Sequence, residues 1–192
     1  MLLQSLPNHD HAMNTRESIL TAGVALLEAR GIAALTQPQV AKAAGVTQSH
    51  LTYYFPKRGD LLLGIAEHSI TKVMATLAER LAQRAPQTAL ADTLAEAMVS
   101  GVPPRLMVGL VVAADADPAI RERLRDLVRG IRDNIAMLLS KAGLTSIPEA
   151  PLLFHASVVG LALLYQARLN QEAAREVQQG IAAMLRLLAA RA

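Results

Sequence analysis

Residues 36–55 read TQPQVAKAAGVTQSHLTYYF. Hydrogen-bonding side chains gather at the end of this stretch: Gln48, Ser49, Thr52 and Tyr53, with Lys57 and Arg58 just beyond. Such groups bond to base edges and to phosphate oxygens. Between Thr36 and Arg58 the only charged residues are the cations Lys42, Lys57 and Arg58. A segment that meets phosphate has to be locally cationic even where the whole chain is not. The chain carries 19 Lys and Arg against 16 Asp and Glu, a net charge of +3, so placement rather than total charge carries the reading. Three of the five aromatic residues are consecutive: Tyr53, Tyr54 and Phe55. Phe55 is expected to fill the core of a small helical unit. Two adjacent phenols beside Lys57 and Arg58 suit phosphate contacts.

These residues need helices to position them. Thr36 and Thr47 read as caps of two short helices, 36–44 and 48–54, with Pro38 in the first turn of one and Gly45 in the turn between them. Helix, tight turn and helix make the helix-turn-helix pattern. Val40, Ala41 and Leu51 are its expected core, with Ala44 at the close crossing and Val46 in the turn. A helix at 14–30 precedes it, with Ile19, Leu20, Val24 and Leu27 at helical spacing and Gly31 as the stop. A long helix follows at 58–84, its buried face drawn from Leu61, Leu62, Ile65, Ile70, Val73, Leu77 and Leu81. Breaks at Pro86, Gly101–Pro104, Asp117–Pro118, Gly143, Ser146–Pro148 and Asn170 delimit helices at 87–100, 105–114, 118–142, 149–169 and 172–190. No segment alternates as a strand does. The expected fold is all-α with about nine helices. A mobile tail (1–13) leads into a three-helix helix-turn-helix domain (14–60), which joins through the long helix to a second helical domain (61–192).

The stretch TRESILTAGVALLEARGIAALTQPQVAKAAGVTQSHLTYYFPKRGDLL resembles the amino-terminal domain of TetR/AcrR-type transcriptional regulators. Thr15-Arg16, Ile19-Leu20, Gly31, Thr36, Ala44-Gly45-Val46, Tyr53-Tyr54-Phe55 and Leu61-Leu62 carry the resemblance, which covers about a quarter of the chain. It implies a homodimer that reads a near-palindromic double-stranded operator, with the 48–54 helix in the major groove. Gln48, Ser49 and His50 would face bases. Thr36, Tyr53, Tyr54, Lys57 and Arg58 would hold phosphates, and Gln37, Thr47 and Thr52 complete the DNA-facing set. Thr52 stands where the family usually has Tyr, which shortens or removes one phosphate contact. Pro56 and Gly59 are unusual just before the long helix.

A small, largely apolar effector is expected in the second domain, against Arg105, Met107, Leu110, Val111, Met137, His155 and Val159. Arg105 and Arg168 lie beside apolar helices and could each meet an acidic group; Leu138 could add to an apolar wall. The dimer interface is expected on the last two helices, at Ala156, Gly160, Leu164, Ala167, Ile181, Met184, Leu185 and Leu188. Small residues allow close approach, and an i, i+3, i+4, i+7 repeat suits a four-helix bundle between copies. The arginines at 121–132 alternate with acids and read as a solvated face, and His68 reads as a surface residue. His9-Asp10-His11 lacks partners at metal spacing.

The composition excludes other classes. At 52% hydrophobic and 18% charged, the chain is not a disordered one. It has no Cys, hence no disulfide, thiolate metal site or thiol nucleophile. It has no G-x-S-x-G, phosphate-cradling glycine loop or H-E-x-x-H, so no catalytic residue, cofactor or metal is expected. No uninterrupted apolar run approaches the 18 residues of a membrane span; Val158–Tyr165 is among the longest, at eight. Together with the resemblance, this makes the expected function that of a cytoplasmic one-component transcription regulator, a repressor, without a membrane partner. Two alternatives stand beside it: a helical adaptor that binds another protein, and a DNA-binding regulator with a filled core and no effector.

Overall fold

The turn at 45–47 sets the geometry of everything amino-terminal to it. Helix α2 (Gln37–Ala44) ends where Gly45 takes φ 69°, ψ 25°, a left-handed conformation that carries no steric cost without a Cβ. The N–H of Val46 donates to the carbonyl of Ala41 at 3.0 Å, which closes the turn. Thr47 then caps α3 (Gln48–Tyr54), its hydroxyl accepting the N–H of His50 at 3.2 Å. Val40, Ala41 and Leu51 are buried as expected, so both helices are pinned by their inner faces.

In this computed structural model residues 9–144 and 147–189 are described. The remaining elements are α1 (His9–Arg30), a 3-10 turn (Ile32–Ala34), α4 (Arg58–Leu81), α5 (Pro86–Val99), α6 (Val102–Ala116), α7 (Pro118–Lys141), α8 (Ala150–Arg168) and α9 (Gln171–Ala189). The all-α expectation holds, with nine α-helices and no strand among the described residues. Helix α1 starts at His9, ahead of Asn14 where the pattern begins it. Residues 1–8 of the expected tail lie outside the described residues, as do the side chains of His9–His11 and all of Ser146.

Two hydrophobic cores share α4. The first joins α1, α2 and α3 to Leu61, Leu62, Leu63 and Ile65, and also takes in Val102, Leu106 and Leu110 of α6 and Ile120 of α7. It extends well past residue 60. The second joins Leu77 of α4 to α5, the end of α7, α8 and α9. Gly59 explains itself here. A Cβ on it would lie 2.7 Å from Cδ1 and 2.8 Å from Cγ1 of Ile120, so α7 can cross α4 only over a bare backbone.

Helices α4 and α8 are each long and apolar enough, by length and composition, to cross a membrane. Counting uninterrupted apolar runs missed this, because isolated polar residues break both runs. In α4 44% of the relevant window is buried within the fold, but in α8 only 22% is. Helix α8 therefore carries an uncovered apolar face.

Replacing Gly59 by Val should lower the urea midpoint by the equivalent of about 1–3 kcal/mol, through the clash with Ile120. Gly130, with open space above it, should instead gain about 0.4–1 kcal/mol on replacement by Ala. Equal effects at the two sites would refute the close-approach account.

Candidate DNA interface and effector cavity

Helix α3 has only seven residues, too few to hold its own shape or position. Leu51 and Phe55 anchor it from below. Gln37 at the start of α2 reaches across and donates its amide N–H groups to the carbonyls of Phe55 at 2.6 Å and Pro56 at 3.2 Å. Arg58 at the start of α4 donates from Nε to the Leu35 carbonyl at 3.0 Å and from Nη2 to the Ile32 carbonyl at 3.3 Å. Arg16 lies over the Phe55 ring at 5.6 Å. These bonds hold the unit as one body.

The outward face of α3 is what remains. Gln48, Ser49 and His50 are exposed, and Tyr53 is 78% exposed. Tyr54 packs part-buried against the first core, edge-on to Tyr53 at 5.2 Å and tilted to His50 at 5.9 Å. Thr36 caps α2 without a side-chain cap bond. Thr52 differs: its hydroxyl donates back to the carbonyls of Gln48 and Ser49, both at 3.1 Å, so its proton is spent within the helix. Lys57 is exposed but paired, Nζ to Asp117 at 2.7 Å. That bond raises the Lys57 pKa and lowers that of Asp117, whose other oxygen caps α7 by accepting the N–H of Ala119. Asp60 accepts the Lys57 backbone N–H at 3.0 Å and pairs with Arg123 at 2.6 Å. The start of α4 is thus tied to the start of α7 by charge.

Between the two cores lies a cavity of about 140 Å³. Ile70, Val73 and Met74 of α4 line one side, Met98 of α5 and Met107 and Leu110 of α6 another, and Leu138 of α7 and Val159 of α8 the rest. Among its 25 lining residues only Ser69, Asn134 and His155 are polar. Ile70 and Val73, expected to be core, are only part-buried because they face this space. His155 has its pKa lowered by burial first and by the nearby charge of Arg132 second.

Residues 19–65 match the family model for bacterial regulatory proteins of the TetR family. The helix-turn-helix unit is thus similar to that of TetR-family regulators. The chain is 29% identical over 126 residues to the HTH-type transcriptional regulator CymR of Pseudomonas putida, a match covering 62% of this chain and 60% of that protein. Its fold is that of a Rhodococcus sp. protein described as a TetR-family transcriptional regulator, at a TM-score of 0.72 and 20% identity, covering 92% of this chain and 98% of that one. A transcriptional regulator from Saccharomonospora viridis in complex with choline superposes at 0.67 and 16% identity, covering 91% and 96%.

Several expected site residues have other work. Gln37 and Arg58 brace the helix-turn-helix from within. Arg105 stands outside the cavity and donates to the Leu27 carbonyl near the end of α1 at 3.1 Å. Arg168 is paired with Glu172 and Glu176 of α9. Val111 and Met137 face outward at 49% and 43% exposure, one helix face away from the cavity. Ile181, Leu185 and Leu188 are buried in the chain's own second core, because the i, i+4, i+7 repeat describes an intramolecular contact equally well. Met184 is part-buried against the same core. Ala156, Leu164 and Ala167 are exposed on α8, and Gly160 has open space above it. Asn134 was missed, although a lone amide on the apolar face Leu127–Ile131–Ile135–Leu138 is itself a signal.

His68 is not a surface residue. Its side chain is 8% exposed, with Nδ1 3.5 Å from Glu17 and Nε2 buried without a partner. Burial lowers its pKa foremost, Lys72 and Arg16 add to that, and Glu17 opposes. The unfolded chain therefore takes up a proton first as pH falls. Stability should be full above the ordinary histidine value of about 6.5 and decline below it. His68→Leu should flatten that decline in urea unfolding between pH 5 and 8, leaving the share from His155. A slope unchanged by the substitution would refute the assignment.

Proposed function

We propose that this protein is a DNA-binding regulator of the TetR family, a cytoplasmic one-component repressor that binds a near-palindromic operator as a homodimer and is released by a small, largely apolar effector. The observation that carries the DNA reading is the outward face of α3. Gln48, Ser49, His50 and Tyr53 point away from a helix whose inner face is fully anchored. Such a helix presents hydrogen-bonding groups to the major groove, while Thr36, Tyr54 and Lys57 flank it at phosphate positions. The cavity supports an effector over the filled-core alternative. The effector shifts the operator-bound population only through its different affinity for the two states of the dimer. Helix α8 supports the dimer, since Leu152, Leu153, Leu163 and Leu164 form an apolar face that water would otherwise wet.

Selection of duplexes from a random pool at two salt concentrations tests the operator reading. An enriched palindrome, bound more weakly at high salt, is expected. No enriched sequence, with or without a metabolite extract, would favour the adaptor reading. Asp117→Asn keeps a good cap for α7 but frees Lys57. It should tighten duplex binding about two- to fivefold and steepen the log–log salt slope by about 0.9. An unchanged slope would remove Lys57 from the phosphate set. Leu164→Glu should turn the dimer into a monomer in sedimentation velocity with its helical circular dichroism intact; a persistent dimer would move the interface off α8.

A further inference from the structure

The walls of the cavity restrict the chemistry of the effector more closely than its volume does. Its lining residues come from α4, α5, α6, α7 and α8, and none of those described is Asp, Glu, Lys or Arg. A charge taken inside would shed its water and meet no opposite charge. Partial charges do not take the place of full ones. A cage of aromatic rings can hold a cation, but Phe154, itself 1% exposed, is the only aromatic carbocycle among the lining residues. The N–H groups of a helix N-terminus can hold an anion. The start of α6 reaches the wall through Pro103 and Pro104, which have no N–H. The N–H of Gly101 donates to the Met98 carbonyl at 3.2 Å and that of Val102 to Ser100 Oγ at 3.3 Å. That helix end therefore has no donor left for an anion.

Three polar side chains interrupt the apolar wall: Ser69, Asn134 and His155. The Ser69 hydroxyl donates to the Ile65 carbonyl of its own helix at 2.8 Å. Asn134 of α7 and His155 of α8 make no side-chain hydrogen bond among the described residues. The pKa of His155 is lowered, by burial first and by the charge of Arg132 second, so its imidazole is neutral at pH 7. A neutral imidazole has one donor and one acceptor, and a carboxamide has two donors and one acceptor. Uncharged groups of this kind on adjacent helices match an uncharged oxygen, which leaves water at far less cost than an ion does. The methionines and leucines around them take an apolar body.

We propose that the effector is an uncharged molecule, an apolar body bearing one hydroxyl or carbonyl oxygen, with that oxygen bonded by Asn134 and His155 and the body lying among Met98, Met107 and Leu110. This rests on the cavity being the effector site. Full-length protein is titrated by calorimetry at pH 7 with octanol, 2-octanone, octanoate and octylammonium, which share a chain length and differ in head group. The better of the two neutral probes should bind at least about tenfold tighter than either ion, whose head has to shed its water. Octanol ahead of 2-octanone assigns a hydroxyl, and the reverse assigns a carbonyl. Asn134→Leu, similar in volume, should weaken that neutral probe about three- to tenfold, the scale of one neutral hydrogen bond. Asn134→Asp should raise octylammonium binding at least about tenfold, because it supplies the missing countercharge. Either ion binding the unaltered protein as tightly as the neutral probes would overturn the uncharged assignment and leave the cavity reading standing. Affinities unchanged in both Asn134 variants would overturn the role of that side chain. No binding by any of the four would overturn the cavity reading itself.

Discussion

Helix α4 is buried at both ends, in two different cores, and the rest of the molecule depends on that. Its 24 residues make a rod of about 36 Å at 1.5 Å per residue. Leu61, Leu62, Leu63 and Ile65 belong to the core under the helix-turn-helix, and Leu77 belongs to the core of α5, α8 and α9. Ile70, Val73 and Met74 lie between and face the cavity. A packed helix bends little, so a shift at the cavity is carried to the end that holds α3. Gly59 adds a second point of transfer, since Ile120 rests on it and α7 also walls the cavity.

Polar groups at the head of α4 do the finer positioning. A seven-residue helix presented to solvent needs its ends held. Gln37, Arg58 and Arg16 supply this by bonding to the carbonyls and the ring that surround it. Their cost is specificity of role, because a guanidinium bonded to two carbonyls is partly withdrawn from phosphate. Lys57 stands between the two uses. Its partner Asp117 is exposed enough to water for the pair to exchange with another anion. In the proposed operator complex, Asp117 and phosphate compete for one ammonium group, which couples the start of α7 to the outward face of α3 without any movement of the backbone.

The carboxy-terminal half has a different balance. Its amphipathic helices close one core, leave a chamber with three methionines in the wall, and leave the outer face of α8 bare. Methionine adapts its shape at little cost, so such a wall accommodates ligands of varied outline. The few polar groups then decide more than the apolar ones, because a buried donor left unmet costs more than a lost contact.

Much of this was written along the chain. Gly45, Pro38, Thr47 and the spacing of Val40, Ala41 and Leu51 specify a helix-turn-helix locally, since caps, turns and helical periods act over a few residues. The nine helices and most of their ends followed from the same short-range signals. The outward set Gln48, Ser49, His50 and Tyr53 was legible because what a short helix does not bury it must expose. Tertiary structure decided the rest. Whether Ile181, Leu185 and Leu188 face a partner or their own core, whether Arg58 meets a phosphate or a carbonyl, and whether His68 is wet or buried all depend on which surfaces meet. Periodicity marks a face as apolar and a residue as charged. It cannot name the neighbour, because contacts between distant segments are set by the packing of whole helices.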